Sequence, residues 1–286
     1  MPTVYLNGSY MERDRAAIPI DDRGFVFGDG IYEGVRVIDG RLFAWDAHAA
    51  RLRSGLAGLR IELSPERVAE LAGIARRLLE DNGLTRGEAF IYVAVTRGVA
   101  ARTHAFPPRG TPPTVFVSAT RLLRPRDLRQ HGARAITFED IRWSRCDWKT
   151  INLLGSVLAR QAAVEAGAFE AILLRDGVVT EGAATTVFAV IDGVVRTHPL
   201  SHRILPGVTR GVVLECAQAL ELTASERAIT EYELRCAEEL FLCGTTTDIT
   251  PVVTLDSKPV ASGEPGPLTT QLRDAFEARL YGGRAR

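Results

Sequence analysis

Residues 31-IYEGVRVIDGRLFAW-45 alternate on both sides of Asp39-Gly40. A two-residue Asp-Gly link favours the type I′ turn, whose twist matches that of paired antiparallel strands, so this stretch reads as a hairpin. Asn7-Gly8 repeats the signal between 3-TVYLNG-8 and 10-YMER-13, and an Asp-Gly pair divides 185-TTVFAVID-192 from 194-VVRTH-198. A chain punctuated in this way builds antiparallel sheet locally rather than an unbroken βαβ series. Further strands are expected at 88–97, 114–120, 135–141, 169–176 and 239–244.

Helices alternate with these strands. Asp46 precedes 47–59, where Leu52, Leu56 and Leu59 recur at helical spacing. Ser64, followed by Pro65 and Glu66, caps a second helix over 65–80 that ends at Asn82-Gly83. Others are expected at 152–166, at 208–220 behind Pro206-Gly207, in a short turn behind the Thr230/Glu233 capping box, and at 268–281. The fold class is therefore α+β. At 121-RLLRPRD-127 apolar strand gives way to charge and proline. This places an N-terminal domain at 1–120, a linker at 121–127 and a C-terminal domain at 128–286.

Composition closes off several functions. The formal net charge is zero with both signs interspersed, so nucleic acid is not an expected partner. No apolar run approaches the roughly 18 residues that span a bilayer, and the N-terminus lacks a signal pattern. Four cysteines (146, 216, 236 and 243) show no CxxC spacing and no scaffold density, consistent with reduced thiols in a cytoplasmic protein.

Lysine is nearly absent. Of 35 basic residues only Lys149 and Lys258 are lysine, and Lys258 lies in a polar 256-DSKP-259 turn. Lys149 stands between an expected strand and helix, among Trp143, Trp148, Ile151 and Leu153. An ammonium can shed its proton when desolvated and attack a carbonyl, whereas a guanidinium cannot, so a chain this rich in arginine keeps lysine where amine chemistry is needed.

Other segments look like ligand-binding equipment. The turn 205-LPGVTR-210 offers backbone N–H groups and the Thr209 hydroxyl at a helix N-terminus, a ready anion site. The turn 244-GTTT-247 offers hydroxyls and close backbone approach, and Arg51 follows His48 by one helical turn. No GxxxxGK[ST] is present, and 28-GDG-30 is too short for a dinucleotide fingerprint. Glu181 closes an expected strand among apolar and small residues, where a buried carboxylate would need a positive or proton-bearing partner. A reactive amine, a dianion cradle and a buried acid together suit pyridoxal phosphate.

At this point the chain resembles the fold-type IV pyridoxal-phosphate-dependent aminotransferases, and among them the D-amino acid branch. The resemblance spans about residues 3–280. It is carried by 21-DDRGFVFGDGIYEGVRV-37, 48-HAARL-52, 96-TRGVAARTH-104, 139-EDIRWSRCDWKTINLLG-155, 180-TEGAATTVF-188, 204-ILPGVTR-210 and 245-TTTDITP-251. It implies a small α/β N-terminal domain and a larger pseudo-barrel C-terminal domain. It also implies that Lys149 is the Schiff-base lysine and proton shuttle and that Glu181 partners the pyridine nitrogen. Arg51, the Val208 backbone, Thr209, Gly244 and Thr245 would hold the phosphate, with Leu205 beneath the ring. Tyr32, Thr246, Arg102 and His104 would bind substrate. Arg102 and His104 would come from the partner of a homodimer, whose 98–113 loop completes the neighbouring site.

Two departures stand out from the family pattern: Gly244 replaces a phosphate-turn serine, and Ala183 and Ala184 replace hydroxyl residues. The implied reaction exchanges nitrogen between D-amino acids of the alanine class and 2-oxo acids such as 2-oxoglutarate or pyruvate, with ping-pong kinetics. Branched-chain L-amino acid or (R)-amine transaminases and aminodeoxychorismate lyase share the fold, but their pockets have no use for the Arg102-x-His104 pair. A catalytically silent cofactor-binding relative is the reading from another class, and intact Lys149 and Glu181 oppose it.

Overall fold

A computed structural model describes residues 1–123 and 126–282. Residues 124–125 of the expected linker, and 283–286 at the end of the expected C-terminal domain, lie outside the described residues. The chain forms two compact units. Met1–Leu123 and Trp148–Asn152 make the first, and the remaining described residues make the second.

In the first unit β1 (Thr3–Leu6) and β2 (Ser9–Glu12) are followed by α1 (Arg23–Phe27), β3 (Gly30–Ile38) and β4 (Arg41–Leu42). Then come α2 (Trp45–Leu59), α3 (Pro65–Asp81), β5 (Glu88–Thr96) and β6 (Thr114–Arg121). The strands pair throughout as an antiparallel sheet in the order β2-β1-β6-β5-β3-β4. Both expected hairpin turns are present: Asn7 and Gly8 have φ of 47° and 94°, and Asp39 and Gly40 have 48° and 77°. Positive φ at both central residues is what the type I′ turn requires. Val35, Val37, Ile91, Val93 and Val117 project from the sheet into a core closed by Leu52 and Leu56 of α2 and Leu71 and Leu78 of α3. The Ser64 hydroxyl caps α3 by accepting from the Arg67 N–H at 3.3 Å.

Trp148–Asn152 belongs to this unit although its sequence neighbours do not. Thr150 bridges Ile31 in antiparallel fashion. The Tyr32 N–H donates to the Lys149 carbonyl at 2.9 Å, and the Ile151 N–H donates to the Gly30 carbonyl at 3.0 Å. The segment thus extends the start of β3, and the Trp148 side chain packs on the core.

The second unit begins with α4 (Arg126–His131), β7 (Ala133–Glu139), α5 (Leu154–Glu165), β8 (Glu170–Arg175), β9 (Val178–Gly182), β10 (Thr186–Ile191) and β11 (Val194–Thr197). It continues with α6 (Val208–Ala219), β12 (Ala224–Glu226), β13 (Ile229–Thr230), α7 (Glu231–Arg235), β14 (Glu239–Gly244), β15 (Asp248–Leu255), β16 (Lys258–Pro259) and α8 (Pro267–Tyr281). The main path of its sheet runs β12-β11-β10-β14-β15-β7-β8-β9-β13, with β16 added to β15. Three joins, β11–β12, β15–β7 and β7–β8, are parallel, so the sheet is mixed. The Thr230/Glu233 capping box is formed at α7.

Where the sequence reading ended in a threonine-rich turn at 245–251, the turn is only 245–247, and β15 starts at Asp248. Pro251 hides this strand because it cannot donate to a ladder. It is accommodated opposite Phe241 of β14, and β7 joins on the other side only from Val252 onward. Among the described residues no helix is long and apolar enough to cross a membrane.

Candidate active site

In the first unit, Lys149 is half-buried, with Nζ 4.3 Å from the centroid of the Tyr32 ring. Main-chain pairing to β3 holds both residues, so the amine is presented from sheet rather than from a loose connection. The next residue of β3, Glu33, points into a charged cluster that the sequence reading did not identify. Its carboxylate accepts from Arg51 Nε at 2.7 Å and Nη2 at 2.8 Å, and lies 2.8 Å from His48 Nδ1. Arg51 is therefore oriented by a two-pronged carboxylate contact, the geometry its planar fork favours. The only signals for Glu33 in the sequence were the helical spacing of His48 and Arg51 and the acid in 31-IYEG-34.

Burial alone would raise the Glu33 pKa, but hydrogen bonds from Arg51 and His48 carry it down to about 2. Burial lowers the His48 pKa, against the opposing pull of Glu33. The signs give two losses in acid. Glu33 contributes stability that is present above its ordinary value of 4.5 and is lost as pH falls toward about 2. His48 resists protonation when folded, so stability already declines below its ordinary 6.5. Glu33→Gln is expected to destabilise the protein by about 2 kcal/mol near neutrality and to remove the lower-pH loss. Urea melts from pH 3 to 8 check this, and a variant whose acid profile matches the wild type would refute it.

In the second unit, Glu181 near the end of β9 is buried. Its carboxylate accepts from Arg142 Nη1, and its other oxygen accepts from the Leu205 N–H at 3.1 Å. Arg142 is in turn held by Asp140, through Nε at 2.9 Å and Nη2 at 2.9 Å. Burial works against the charged guanidinium, but the Asp140 hydrogen bonds and the Glu181 charge raise its pKa overall. Arg142 is the positive partner that a buried acid at 181 was expected to need. One more arginine in 139-EDIRW-143 gave no signal of that role.

Leu205 leads through Pro206-Gly207 into α6, whose N-cap Gly207 contributes no side-chain cap. A Cβ at Gly207 would lie 2.9 Å from the Thr186 hydroxyl, so Val208 and the buried Thr209 start the helix directly over β10. Gly244, at the end of β14, pairs with Asp248 across the 245–247 turn. A Cβ there would meet nothing closer than 3.6 Å, with the Thr247 hydroxyl and the Ala184 carbonyl nearest. Thr245 is half-buried and Thr246 exposed in the same turn. Two glycine-opened turns, an uncapped 12-residue helix start and threonine hydroxyls thus converge on one end of this sheet, an arrangement suited to a phosphate group. Cys146 is not part of such chemistry, since burial pushes its thiol up to about 11.

Arg102 and His104 are exposed on the 98–113 loop of the first unit. Both pack on Phe27. The Arg102 guanidinium lies 5.6 Å from that ring's centroid, and the His104 ring lies 5.6 Å away at 42°. The neighbours of Tyr32 are instead Lys149 and Tyr92, whose ring is 5.7 Å away.

Residues 30–255 match the family model described as amino-transferase class IV. A D-alanine aminotransferase of Bacillus licheniformis is 42% identical over 274 residues, covering 96% of this chain and 95% of that protein. One from Staphylococcus aureus (strain MSSA476) is 40% identical over 277 residues, 97% of each chain. Among solved structures, the branched-chain amino acid aminotransferase of Escherichia coli superposes with a TM-score of 0.92 at 27% identity, covering 99% of this chain and 96% of that one. The T.th. branched-chain enzyme complexed with N-(5'-phosphopyridoxyl)-L-glutamate gives a TM-score of 0.87 at 28% identity, covering 99% and 95%.

Proposed function

The chain belongs to the class IV amino-transferases, and from that premise we propose that it is a pyridoxal-phosphate-dependent D-amino acid transaminase acting on D-alanine and 2-oxo acids. The observation that carries the reading is the 42% identity to a D-alanine aminotransferase over nearly the whole of both chains. The Arg102-x-His104 pair supports it, because a basic pair on one loop suits a substrate carboxylate.

When bound, pyridoxal phosphate supplies an aldehyde that links to amines and a ring that takes up the electrons of a broken Cα–H bond. Lys149 would hold it through its side-chain amine and would carry the proton to and from the substrate Cα. Glu181, oriented by Arg142 and the Leu205 N–H, would face the ring nitrogen and balance a proton there. The start of α6 with Thr209, together with Gly244 and Thr245, would hold the phosphate, Arg51 would add a positive charge to it, and Leu205 would support the ring. Tyr32, Thr246, Arg102 and His104 fix the substrate. The enzyme works as a cytoplasmic homodimer, with the 98–113 loop of each protomer serving its partner.

Incubation of the holoenzyme with D-alanine and L-alanine separately tests the reading. Conversion of the cofactor absorbance to that of pyridoxamine phosphate is expected with D-alanine, and faster conversion with L-alanine would overturn it. Likeness to branched-chain enzymes at TM-scores up to 0.92 gives the second reading, which faster turnover of L-leucine than of D-alanine would favour. Arg102→Leu is expected to raise the KM for D-alanine on the order of tenfold and to weaken the preference for D over L. Steady-state kinetics on both enantiomers check this.

A further inference from the structure

The 21-DDRG-24 run has no part in the chemistry above, yet its contacts converge on the loop that carries Arg102 and His104. Asp22 is fully buried and accepts from Thr114 Oγ1 at 2.6 Å and Thr96 Oγ1 at 3.0 Å. It thereby ties α1 to the two strand ends from which the loop springs. Main-chain bonds run from Arg23 N to the Gly98 carbonyl at 2.9 Å and from Ala100 N to the Asp21 carbonyl at 3.2 Å. Gly98 has φ +90°, and a Cβ there would strike the Pro112 carbonyl, so the two ends of the loop close on each other.

The Arg23 side chain continues the clamp. It is only 4% exposed. Its Nη1 donates to the Thr103 carbonyl at 2.7 Å and the Ala105 carbonyl at 3.3 Å, the carbonyls of the residues immediately before and after His104. Its Nε donates to Asp29 at 2.9 Å, and Asp29 is itself held two-pronged by Arg97 at 2.7 and 2.9 Å. The guanidinium lies 4.7 Å from the Phe27 centroid, on the ring that also meets Arg102 and His104. The loop beyond is pinned by Phe106, whose ring lies 3.8 Å from the Arg97 guanidinium and 4.7 Å from that of Arg60.

We propose that Arg23 is a positioning residue for carboxylate recognition: by gripping the main chain on both sides of His104 and backing Phe27, it sets where Arg102 and His104 project. This rests on the functional reading above. A loop of this length would otherwise sample many conformers, and each binding event would have to restrict them. Lysine cannot substitute, because a single ammonium does not present a planar fork to Asp29 and two carbonyls at once.

The test compares wild type, Arg23→Lys, Arg102→Leu and the double variant as holoenzymes. The measurements are KM and kcat with D-alanine, and the Kd of propionate, an unreactive carboxylate, from the change in cofactor absorbance. Arg23→Lys is expected to raise both KM and Kd about three- to tenfold while kcat moves less than about twofold. In the Arg102→Leu background the same substitution should change KM by less than about twofold, because most of what it positions has gone. Wild-type KM and Kd in Arg23→Lys would overturn the proposal, as would an equal factor in both backgrounds, which marks a general structural role. Should Arg23→Lys fail to fold, Phe27→Leu is expected to give the same pattern, and wild-type values there would overturn it equally. If the wild type does not convert D-alanine, the functional reading fails, and the propionate Kd alone then decides the role of Arg23.

Discussion

Lys149→Arg is expected to lower transamination of D-alanine by about four decades while leaving the fold intact. The substitution keeps the positive charge and nearly the length, so it separates charge from amine chemistry. The segment is held through its main chain, by the Lys149 carbonyl and the Ile151 N–H, and neither depends on the side chain. A guanidinium stays protonated at any working pH, so it can neither bond to the cofactor aldehyde nor take a proton from Cα. Stopped-flow half-reactions measure the loss, and urea melts confirm that the variant is folded. Borohydride reduction of the wild-type holoenzyme, followed by peptide mapping, should find the pyridoxyl group on Lys149. A label on Lys258, or residual turnover within tenfold of wild type in Lys149→Arg, would remove the assignment.

Glu181→Gln is expected to slow the same half-reaction by about one to two decades, the kinetic equivalent of one charge-assisted hydrogen bond. The amide keeps the shape and can still accept from the Leu205 N–H, but it no longer matches the Arg142 charge. Arg142 retains Asp140, so the guanidinium is not stranded and the fold should survive. Single-turnover rates with D-alanine decide the point. An unchanged rate would mean that the acid only anchors Arg142 and the 205 turn.

Lys149 and Glu181 were singled out in the sequence for different reasons, and their roles remain proposals. The lysine stood out against a background of arginine, and the acid stood out against apolar and small neighbours. The hairpins were legible because Asn-Gly and Asp-Gly turns encode their geometry within two residues. What remained hidden was long-range or too short to show a period. Arg142 looked like any other arginine until the Asp140 and Glu181 contacts were seen. The five-residue α1 has no periodicity, and the meaning of Asp22 depends on Thr96 and Thr114, more than 70 positions away. The pairing of Trp148–Asn152 with β3 joins residues about 120 apart, and no local pattern announces it.

That pairing has a consequence for recombination with relatives. The chain leaves the first unit after Leu123 and returns to it for Trp148–Asn152. A chimera spliced once near residue 124 would inherit its amine-bearing segment from one parent and the β3 edge that receives it from the other. Such a hybrid works only where the Gly30–Tyr32 edge accepts the incoming strand and the residue at 58 stays as small as glycine, because a Cβ there would collide with the Trp148 indole. Exchange with three junctions, moving 148–152 together with 1–123, keeps each strand with its own partner. Shuffled libraries built that way should hold a larger share of active members than those cut at the single visible seam.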